Sequence, residues 1–271
     1  MAKGDSLGDR MKKNYENRSK TYLYRRMPVI IRLDGVSFHT FTRGFVKPFD
    51  KRLMESMQET ALELCKEIQG CVFGYTQSDE ITLLLVDYKS IDSEAWYDYA
   101  VQKLCSVAAS KATRIFNKVF AEKTAGLINR YYNNLLPNKE KYSKIIDDVK
   151  KVVGSYERAL KQGAEFDARA FNIPREEVLN CVLWRIKDCN RNSINSVGQA
   201  NFSHKELQGK NTSDVQDMLM DRFGINWNNF SNFEKGGTLI VSGENGVEIK
   251  DVCIQSYADL EKFCAENEVF F

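Results

Sequence analysis

The first regular pattern of apolar residues along the chain is a β-branched run that ends at Leu33. Asp34-Gly35 follows directly, so the run predicts a buried strand that closes in a turn. From 49 to 68, apolar residues recur every three or four positions, which places them on one face of a helix, and Gly70 then ends the segment. The pattern therefore predicts a strand followed by a helix.

Two further strand-like runs, 71–76 and 81–86, are separated only by residues 77–80, a length suited to a hairpin. Residues 95–120 have the apolar spacing of a long helix, and residues 166–171 alternate apolar and polar side chains as a strand does. The resulting order is β-α-β-β-α-β, the split βαβ or ferredoxin-like pattern. We therefore predict an α+β fold with a ferredoxin-like βαββαβ sheet, the architecture of a polymerase palm.

The same patterns divide the chain into two parts. Residues 1–171 form the predicted palm-like catalytic domain, and the polar, charged segment at about 122–164 is interpreted as an exposed helical insertion. Residues 172–271 have mainly helical patterns, interrupted by the short apolar run 237–241. We expect this second part to be a helical accessory region that binds RNA and packs on the first part.

Composition bears on location and on metal chemistry. Residues 1–20 are polar and no run is long and apolar enough for a membrane helix, so we expect a soluble, cytoplasmic protein with no membrane partner. Seven cysteines without a CxxC pair, and only two histidines, favour reduced structural thiols over a zinc site. The net charge is +2, but basic residues concentrate near the amino end, which suits either phosphate contact or a solvated helix face. These residues are Arg10, Lys12, Lys13, Arg18, Lys20, Arg25 and Arg26.

Asp34 at the end of the first strand and Asp79-Glu80 in the hairpin are the informative acidic residues. In a ferredoxin-like sheet the first strand pairs with the third, so its end lies beside the start of the third and Asp34 and Asp79 converge. Two carboxylates this close repel each other, and Mg²⁺ neutralises them while keeping waters and substrate phosphates as further ligands. Asp-Gly and Ser-Asp-Glu are each common turn sequences, but together in this strand order they predict a two-metal site for phosphoryl transfer.

Ordered motifs surround these carboxylates: IRLDGVSFH at 31–39, Lys47-Pro48 and YTQSDE at 75–80. The pattern continues through Trp96, Lys103, Phe166-Asp167, Trp184-Arg185, Asp188-Cys189 and FGIN at 223–226. These motifs resemble the tRNA-histidine guanylyltransferase family over most of the chain outside 122–164. The resemblance implies a 3′-5′ polymerase that activates a tRNA 5′ end with ATP and then adds nucleotides such as GTP. It also implies two Mg²⁺ ions and a homotetramer.

The resemblance further implies a role for each matching residue. It makes Asp34, the Gly35 carbonyl and Asp79 the metal ligands, supported by Glu80, and it associates Lys47 with 5′ activation. The residues implied to hold the nucleotide are Asp34, Gly35, Val36, Ser37, Phe38, His39, Ser78 and Asp79.

Three of the candidate nucleotide contacts have open interpretations. Lys103 is either a phosphate contact or a surface charge. Arg32 points to the same strand face as Asp34 and either contacts phosphate or pairs with a carboxylate. His39 has no obvious proton-transfer partner, so it is interpreted as a structural residue or a nucleotide contact.

Two positions depart from the family pattern. Eukaryotic members have a histidine-led, asparagine-rich motif after the Asp-Cys pair, and here that histidine position is Asn190. The departure favours the guanylyltransferase-like branch, which repairs 5′-truncated tRNA by templated addition, over strict addition to histidine tRNA. The second departure is Val215, where the pattern has a lysine. The candidate RNA contacts near the altered motif are Arg185, Lys187, Asn190 and Arg191; a charged helix face would have the same pattern.

Two alternatives of other kinds remain at this point. A nucleotide cyclase also places paired aspartates on a palm-like sheet, but the hairpin 77–80 lacks the Gly-Gly-Asp-Glu-Phe turn of diguanylate cyclases. A non-catalytic RNA-binding module can also have a βαββαβ sheet, but it stacks bases on exposed aromatic residues, whereas carboxylates are expected at this sheet edge.

Overall fold

The computed structural model describes residues 6–243, 246–269 and 271. Within them, six antiparallel strands form one sheet in the order β4-β1-β3-β2-β5-β6. The strands are β1 Val29–Gly35, β2 Cys71–Gln77, β3 Glu80–Leu85, β4 Phe166–Asn172, β5 Thr238–Gly243 and β6 Gly246–Lys250. The helices are α1 Ser6–Asn14, α2 Phe38–Phe41, α3 Lys51–Glu67, α4 Val101–Arg130, α5 Ile146–Gln162, α6 Val178–Asn201, α7 His204–Leu207, α8 Thr212–Phe223, α9 Asn232–Gly236 and α10 Tyr257–Glu266.

The first four strands and the two long helices between them confirm the predicted ferredoxin-like order. β1 lies between β3 and β4, and β2 pairs with the outer side of β3. Asp34 lies directly opposite Glu80, so the end of β1 is beside the start of β3, as predicted. The α+β palm architecture is therefore confirmed, and it places the hairpin beside Asp34.

The sheet continues beyond the palm with two strands that the sequence patterns did not predict. β5 pairs with β2, and β6 pairs with β5. Leu239, Ile240 and Val241 are all buried because both faces of β5 are covered. Its apolar run is short and stands among helical patterns, so it was not assigned as a strand. The second part of the chain is thus mainly helical but also completes the sheet, while its division into domains stays a prediction.

Two apolar layers hold the helices on opposite faces of the sheet. Ile31 and its neighbours on one face pack with residues of α3 and α4. Ile30 and its neighbours on the other face pack with α6 and α10. Adjacent strand residues point to opposite faces, which is why Ile30 and Ile31 belong to different layers. The face covered by α6 also carries the acidic residues of the site.

The predicted exposed insertion at about 122–164 is helical, but its inner face is buried. α4 extends to Arg130, and α5 returns along it with Val153, Tyr156 and Ala159 in the core. The Tyr156 hydroxyl donates to the Asp50 carboxylate at 2.7 Å. The predicted exposure is therefore wrong for this face of α5. Its buried residues recur every three positions, but charged residues between them obscure this apolar spacing in the sequence.

The remaining expectations concern the amino end, the cysteines and membranes. The expected helical lead is observed as α1 from Ser6 onward; residues 1–5 lie outside the described residues. All seven cysteines are free thiols, as expected. In the described part of the chain, no helix combines the length and apolar character needed to cross a membrane.

Candidate active site

Three carboxylates lie in a row across the end of the sheet. Asp34 on β1 is directly opposite Glu80 on β3 and directly opposite Asp167 on β4. Residues paired in this way project from the same face of the sheet, and opposed like charges are destabilising. Asp167 was matched as part of a strand, but the sequence alone gave no reason to place it beside Asp34. Strand pairing therefore creates a concentration of negative charge at this edge.

Arg185 on α6 neutralises one member of the row. Its Nε donates to Glu80 Oε1 at 2.7 Å and its terminal nitrogen donates to Oε2 at 2.6 Å. The side chains are only 11% and 12% exposed, so water screens this pair weakly. The same guanidinium lies 3.1 Å from Asp188, one turn further along α6. Glu80 is thus held in a fixed orientation by a bidentate ion pair.

Asp34 and Asp79 have no such counterion among the described residues. Burial raises the pKa of Asp79, and the neighbouring charges of Asp34 and Glu80 raise it further. A hydrogen bond from the Ser78 hydroxyl, at 2.9 Å, acts in the opposite direction. The site therefore contains negative charge that a cation would stabilise.

This donor set fits Mg²⁺. In the described part of the chain, no group of three or more His, Cys, Asp or Glu side chains forms a metal cage. Mg²⁺ is commonly bound through one or two carboxylates, with waters and substrate phosphates completing its octahedron. Asp34 and Asp79 supply two carboxylates of this kind beside an open cleft. The fit supports the predicted metal ligands, whose assignment stays a prediction.

Gly35 is required by the way β1 meets the next turn. Its amide donates to the Asp79 carbonyl at 3.1 Å and so ties β1 to the hairpin. A Cβ at this position would lie 2.2 Å from the Phe38 ring, which is far inside contact distance. Phe38 itself is 5% exposed and packs on Phe116 and Phe166. The glycine thus lets the backbone pass over an aromatic core beside the carboxylates.

A cleft of about 380 Å³ opens next to Asp79 and brings several predicted nucleotide contacts together. Phe38, His39, Lys47, Ser78 and Asp79 all line it, and we call it the first cleft. His39 and Lys47 are exposed, whereas the Phe38 ring belongs to the core. The first cleft therefore combines cationic or titratable side chains with an acidic edge, as a metal-bound triphosphate requires.

The structure places the other predicted nucleotide contacts differently. Val36 and Ser37 are exposed on the turn before α2, and Lys103 is exposed near the start of α4; the first cleft is lined by other residues. Their contacts to nucleotide stay predictions. Arg32 Nε lies 3.5 Å from Glu80 Oε1, an ion-pair distance, and a phosphate contact of Arg32 stays a prediction. Its guanidinium also stacks on Trp184, 5.1 Å from the ring centroid.

Trp184 is a site residue to which the sequence patterns gave no role. Its ring contacts both Arg32 and Arg185, with the Arg185 guanidinium carbon 4.8 Å from the centroid, and yet it is 56% exposed. A half-exposed tryptophan between two arginines fixes their planes by cation-π contact. The sequence shows that Trp184 directly precedes Arg185, which indicated that it could belong to the site. The sequence does not show that Arg32 on β1 stacks on its ring.

The four predicted RNA contacts on α6 have distinct surroundings. Arg185 is committed to Glu80 and Asp188, and Arg191 pairs with Asp188 while remaining exposed. Lys187 is exposed. With its amide oriented for hydrogen bonding, the nitrogen of Asn190 donates to the carbonyls of Ile186 at 3.2 Å and Lys235 at 2.7 Å. Their roles in RNA binding stay predictions, for which Lys187 and Arg191 are the more accessible residues.

Val215, the second departure from the family pattern, is a packing residue. It is 2% exposed and joins Ile194, Val197 and Leu219 in the core between α6 and α8. A charged side chain at this position would be buried, which is costly without a partner.

Paired aspartates at the end of a palm strand and in the adjacent hairpin, beside a cleft, are the arrangement that a metal-dependent nucleotidyltransferase needs. The model of the Thg1 family, described as tRNAHis guanylyltransferase, matches residues 8–174 of the 271-residue chain. The chain therefore belongs to the Thg1 family, whose members are tRNA guanylyltransferases. Membership favours nucleotidyl transfer over the cyclase and over the non-catalytic RNA-binding module.

Relatives and solved structures agree with this assignment. An uncharacterised protein of Acanthamoeba polyphaga mimivirus is 30% identical over 87% of this chain and 77% of its own length. A probable tRNA(His) guanylyltransferase of Dictyostelium discoideum is 26% identical over 80% of this chain and 76% of its own. The structure of a bacterial Thg1-like protein in complex with ATP is 37% identical, with a TM-score of 0.78 over 98% of this chain and 100% of that one. A bacterial Thg1-like protein in complex with GTP is 31% identical, with a TM-score of 0.68 and the same coverage.

Proposed function

We propose that this protein adds nucleotides in the 3′-5′ direction to the 5′ end of tRNA and restores nucleotides missing from truncated molecules. The observation that carries the proposal is the convergence of Asp34 and Asp79 beside a cleft that contains Lys47 and His39. Solved bacterial relatives are described in complex with ATP and with GTP, which supports the use of both triphosphates.

The proposed reaction has two steps that use the same phosphate chemistry. In the first, a 5′-phosphate oxygen of the RNA attacks the α-phosphorus of ATP, and pyrophosphate leaves. In the second, the 3′-hydroxyl of the incoming nucleotide attacks the activated 5′-phosphorus, and AMP leaves. Both steps concentrate negative charge, which Lys47 in the wall of the first cleft would offset.

Asp34, Asp79 and the Gly35 carbonyl are the proposed holders of two Mg²⁺ ions. Bound there, the ions would supply neutralisation of the triphosphate and activation of the attacking hydroxyl. The two hydrogen bonds from Arg185 restrict rotation of the Glu80 side chain and neutralise its charge. The Ser78 hydroxyl donates to Asp79 Oδ1 at 2.9 Å, and both residues line the first cleft.

Templated repair is preferred to strict histidine-tRNA addition because of Asn190. Asn190 stands where the pattern of the strict enzymes has a histidine. Its side chain faces the carbonyls of Ile186 and Lys235. The second candidate is nevertheless strict guanylyl addition, which the name of the Dictyostelium discoideum relative favours. We further propose a homotetramer located in the cytoplasm, as the family resemblance implies.

The test uses purified protein, Mg²⁺, ATP and radiolabelled nucleotides with tRNA lacking its first 5′ nucleotide. Varying the opposing base in the 3′ strand distinguishes the two candidates: templated repair inserts the complement of each base, whereas strict addition inserts guanosine on histidine tRNA alone. Asp34→Asn should abolish extension. Asp148→Asn is the matched control, because Asp148 is 82% exposed on α5. Absence of extension on every tRNA tested would refute the proposal.

A further inference from the structure

A second cleft adjoins the first at Ser78. It measures about 430 Å³ and is enclosed by α3, α6, α9 and the end of β2. The two clefts share Pro48, Asp50, Leu53 and Ser78 in their walls. We call it the amide cleft after the amide side chains that line it, which are Gln58, Gln77, Asn192, Asn195 and Gln199.

The charges around the amide cleft argue against a phosphate ligand. Asp50 and Glu234 are its charged lining residues, and both carboxylates are engaged by protein donors. Asp50 accepts from the Val46 amide and the Tyr156 hydroxyl, and Glu234 accepts from the amide and hydroxyl of Ser231. Lysine and arginine do not occur among the described lining residues, in contrast to the first cleft with its Lys47. The ligand that fits is neutral and rich in hydrogen-bonding groups.

Gln77 lines the amide cleft at the end of β2. Its side chain is 7% exposed and lines the cleft, yet within the described residues no hydrogen bond satisfies its amide. An amide without a protein partner on the wall of a cleft can both donate to and accept from a bound molecule. Asn195, Ser196 and Gln199 also lack side-chain partners in the described part of the chain, whereas Gln58 donates to Thr238.

The remaining walls suit an aromatic ring. Leu53, Met57 and Phe233 contribute apolar surface on the side of α3 and α9. Aromatic and thioether side chains pack favourably against the face of a base. The volume is within the range of sites for small molecules. The cleft thus offers apolar surface for a ring face and amides for its edge.

We propose that the amide cleft binds the base and ribose of one nucleotide, whose phosphates extend past Ser78 toward Asp79. The assignment rests on the proposed function, because it makes this nucleoside one of the two joined in the transfer. A glutamine amide has a donor and an acceptor side by side and pairs bidentately with a base edge. When the amide group rotates, its donor and its acceptor exchange places. The cleft can therefore accept different bases, as templated addition requires. The nucleoside comes either from a free triphosphate or from the 5′ end of the RNA.

The test compares Gln77→Leu and Asn195→Ala with Gln162→Leu, a control at an exposed position at the end of α5. The probes are guanosine, adenosine, GTP, ATP and an RNA hairpin with a truncated 5′ end. Binding is measured by calorimetry, and KM and kcat are measured separately for nucleotide and RNA. Loss of a bidentate amide contact should weaken nucleoside binding about tenfold. If the triphosphate supplies the nucleoside, affinity for GTP or ATP falls; if the RNA supplies it, affinity for the hairpin falls and its KM rises.

Asn195→Ala keeps the test decisive if Gln77→Leu does not fold, since Asn195 lies on the partly exposed rim. Unchanged affinity for every probe in a folded cleft variant would overturn the assignment even if 5′ extension is normal. Conversely, loss of nucleoside binding on substitution, in a protein whose wild type never extends RNA, would support the cleft and refute the proposed function. The two failures are therefore distinguishable.

Discussion

Arg185 on α6 and Glu80 at the start of β3 form a bidentate ion pair across the palm, with hydrogen bonds of 2.7 and 2.6 Å. The pair joins the accessory region to the hairpin that carries Asp79. It also removes one of three adjacent negative charges at the sheet edge. An accessory helix therefore sets the electrostatic surroundings of the proposed metal ligands.

Arg185→Gln should lower the rate of nucleotide addition by about 10–100-fold, the usual effect of removing a group that orients metal-site residues. The released Glu80 carboxylate would be free to reorient toward the Asp34 and Asp79 site, so the Mg²⁺ concentration at half-maximal rate should change as well. Both quantities are obtained from rates measured over a Mg²⁺ series. Arg114→Gln is the control, because Arg114 is 61% exposed and pairs with Glu67 outside the site. An unaltered Mg²⁺ dependence would contradict the positioning role.

Mg²⁺ should raise the melting temperature of the wild-type protein, because an ion that binds only the folded state stabilises it. Asp79→Asn should remove this increase. Without Mg²⁺ the same variant should be at least as stable as the wild type, since one member of a repelling, partly buried acidic group is gone. Thermal unfolding with and without EDTA tests both expectations. A variant that retains the full Mg²⁺ response would show that Asp79 is not a ligand.

Gly35→Ala should destabilise the fold by about 1–3 kcal/mol, because the added methyl group overlaps the buried Phe38 ring. Phe38→Leu combined with Gly35→Ala should recover part of the loss by making room. Gly126→Ala is the matched control: a Cβ there meets no atom within 4 Å, and alanine favours the helix α4. Urea unfolding measures all three variants. Equal stability of the two single variants would contradict the close approach.

Tyr156→Phe should lower the free energy of unfolding by about 1.5–3 kcal/mol, the range for hydrogen bonds to charged groups. The change removes the hydroxyl that donates to the buried Asp50, which also caps α3. Tyr132→Phe removes an exposed hydroxyl bound to Glu157 and should have little effect. Chemical denaturation of both variants gives the comparison. A negligible loss in Tyr156→Phe would mean that α5 does not brace this helix start.

Local patterns were sufficient for the palm because its strands and helices differ clearly in apolar spacing. The β1 run, the hairpin and α3 were predicted close to their observed bounds, and strand order then placed Asp34 beside the hairpin. β5 was missed because its short apolar run stands among helical patterns. The inner face of α5 was missed because charged residues separate its buried positions.

The sequence alone determined the palm order, the family and the position of the two aspartates at one sheet edge, since these depend on local spacing and ordered motifs. Only the tertiary structure decided which charges are paired. Arg185 and Glu80 are far apart in the chain, and their contact depends on how α6 packs across β3. It likewise decided that Gln77 lines a cleft, because the amide cleft forms only where α3, α6 and α9 meet. Burial and charge compensation are properties of several elements together, and no single segment encodes them.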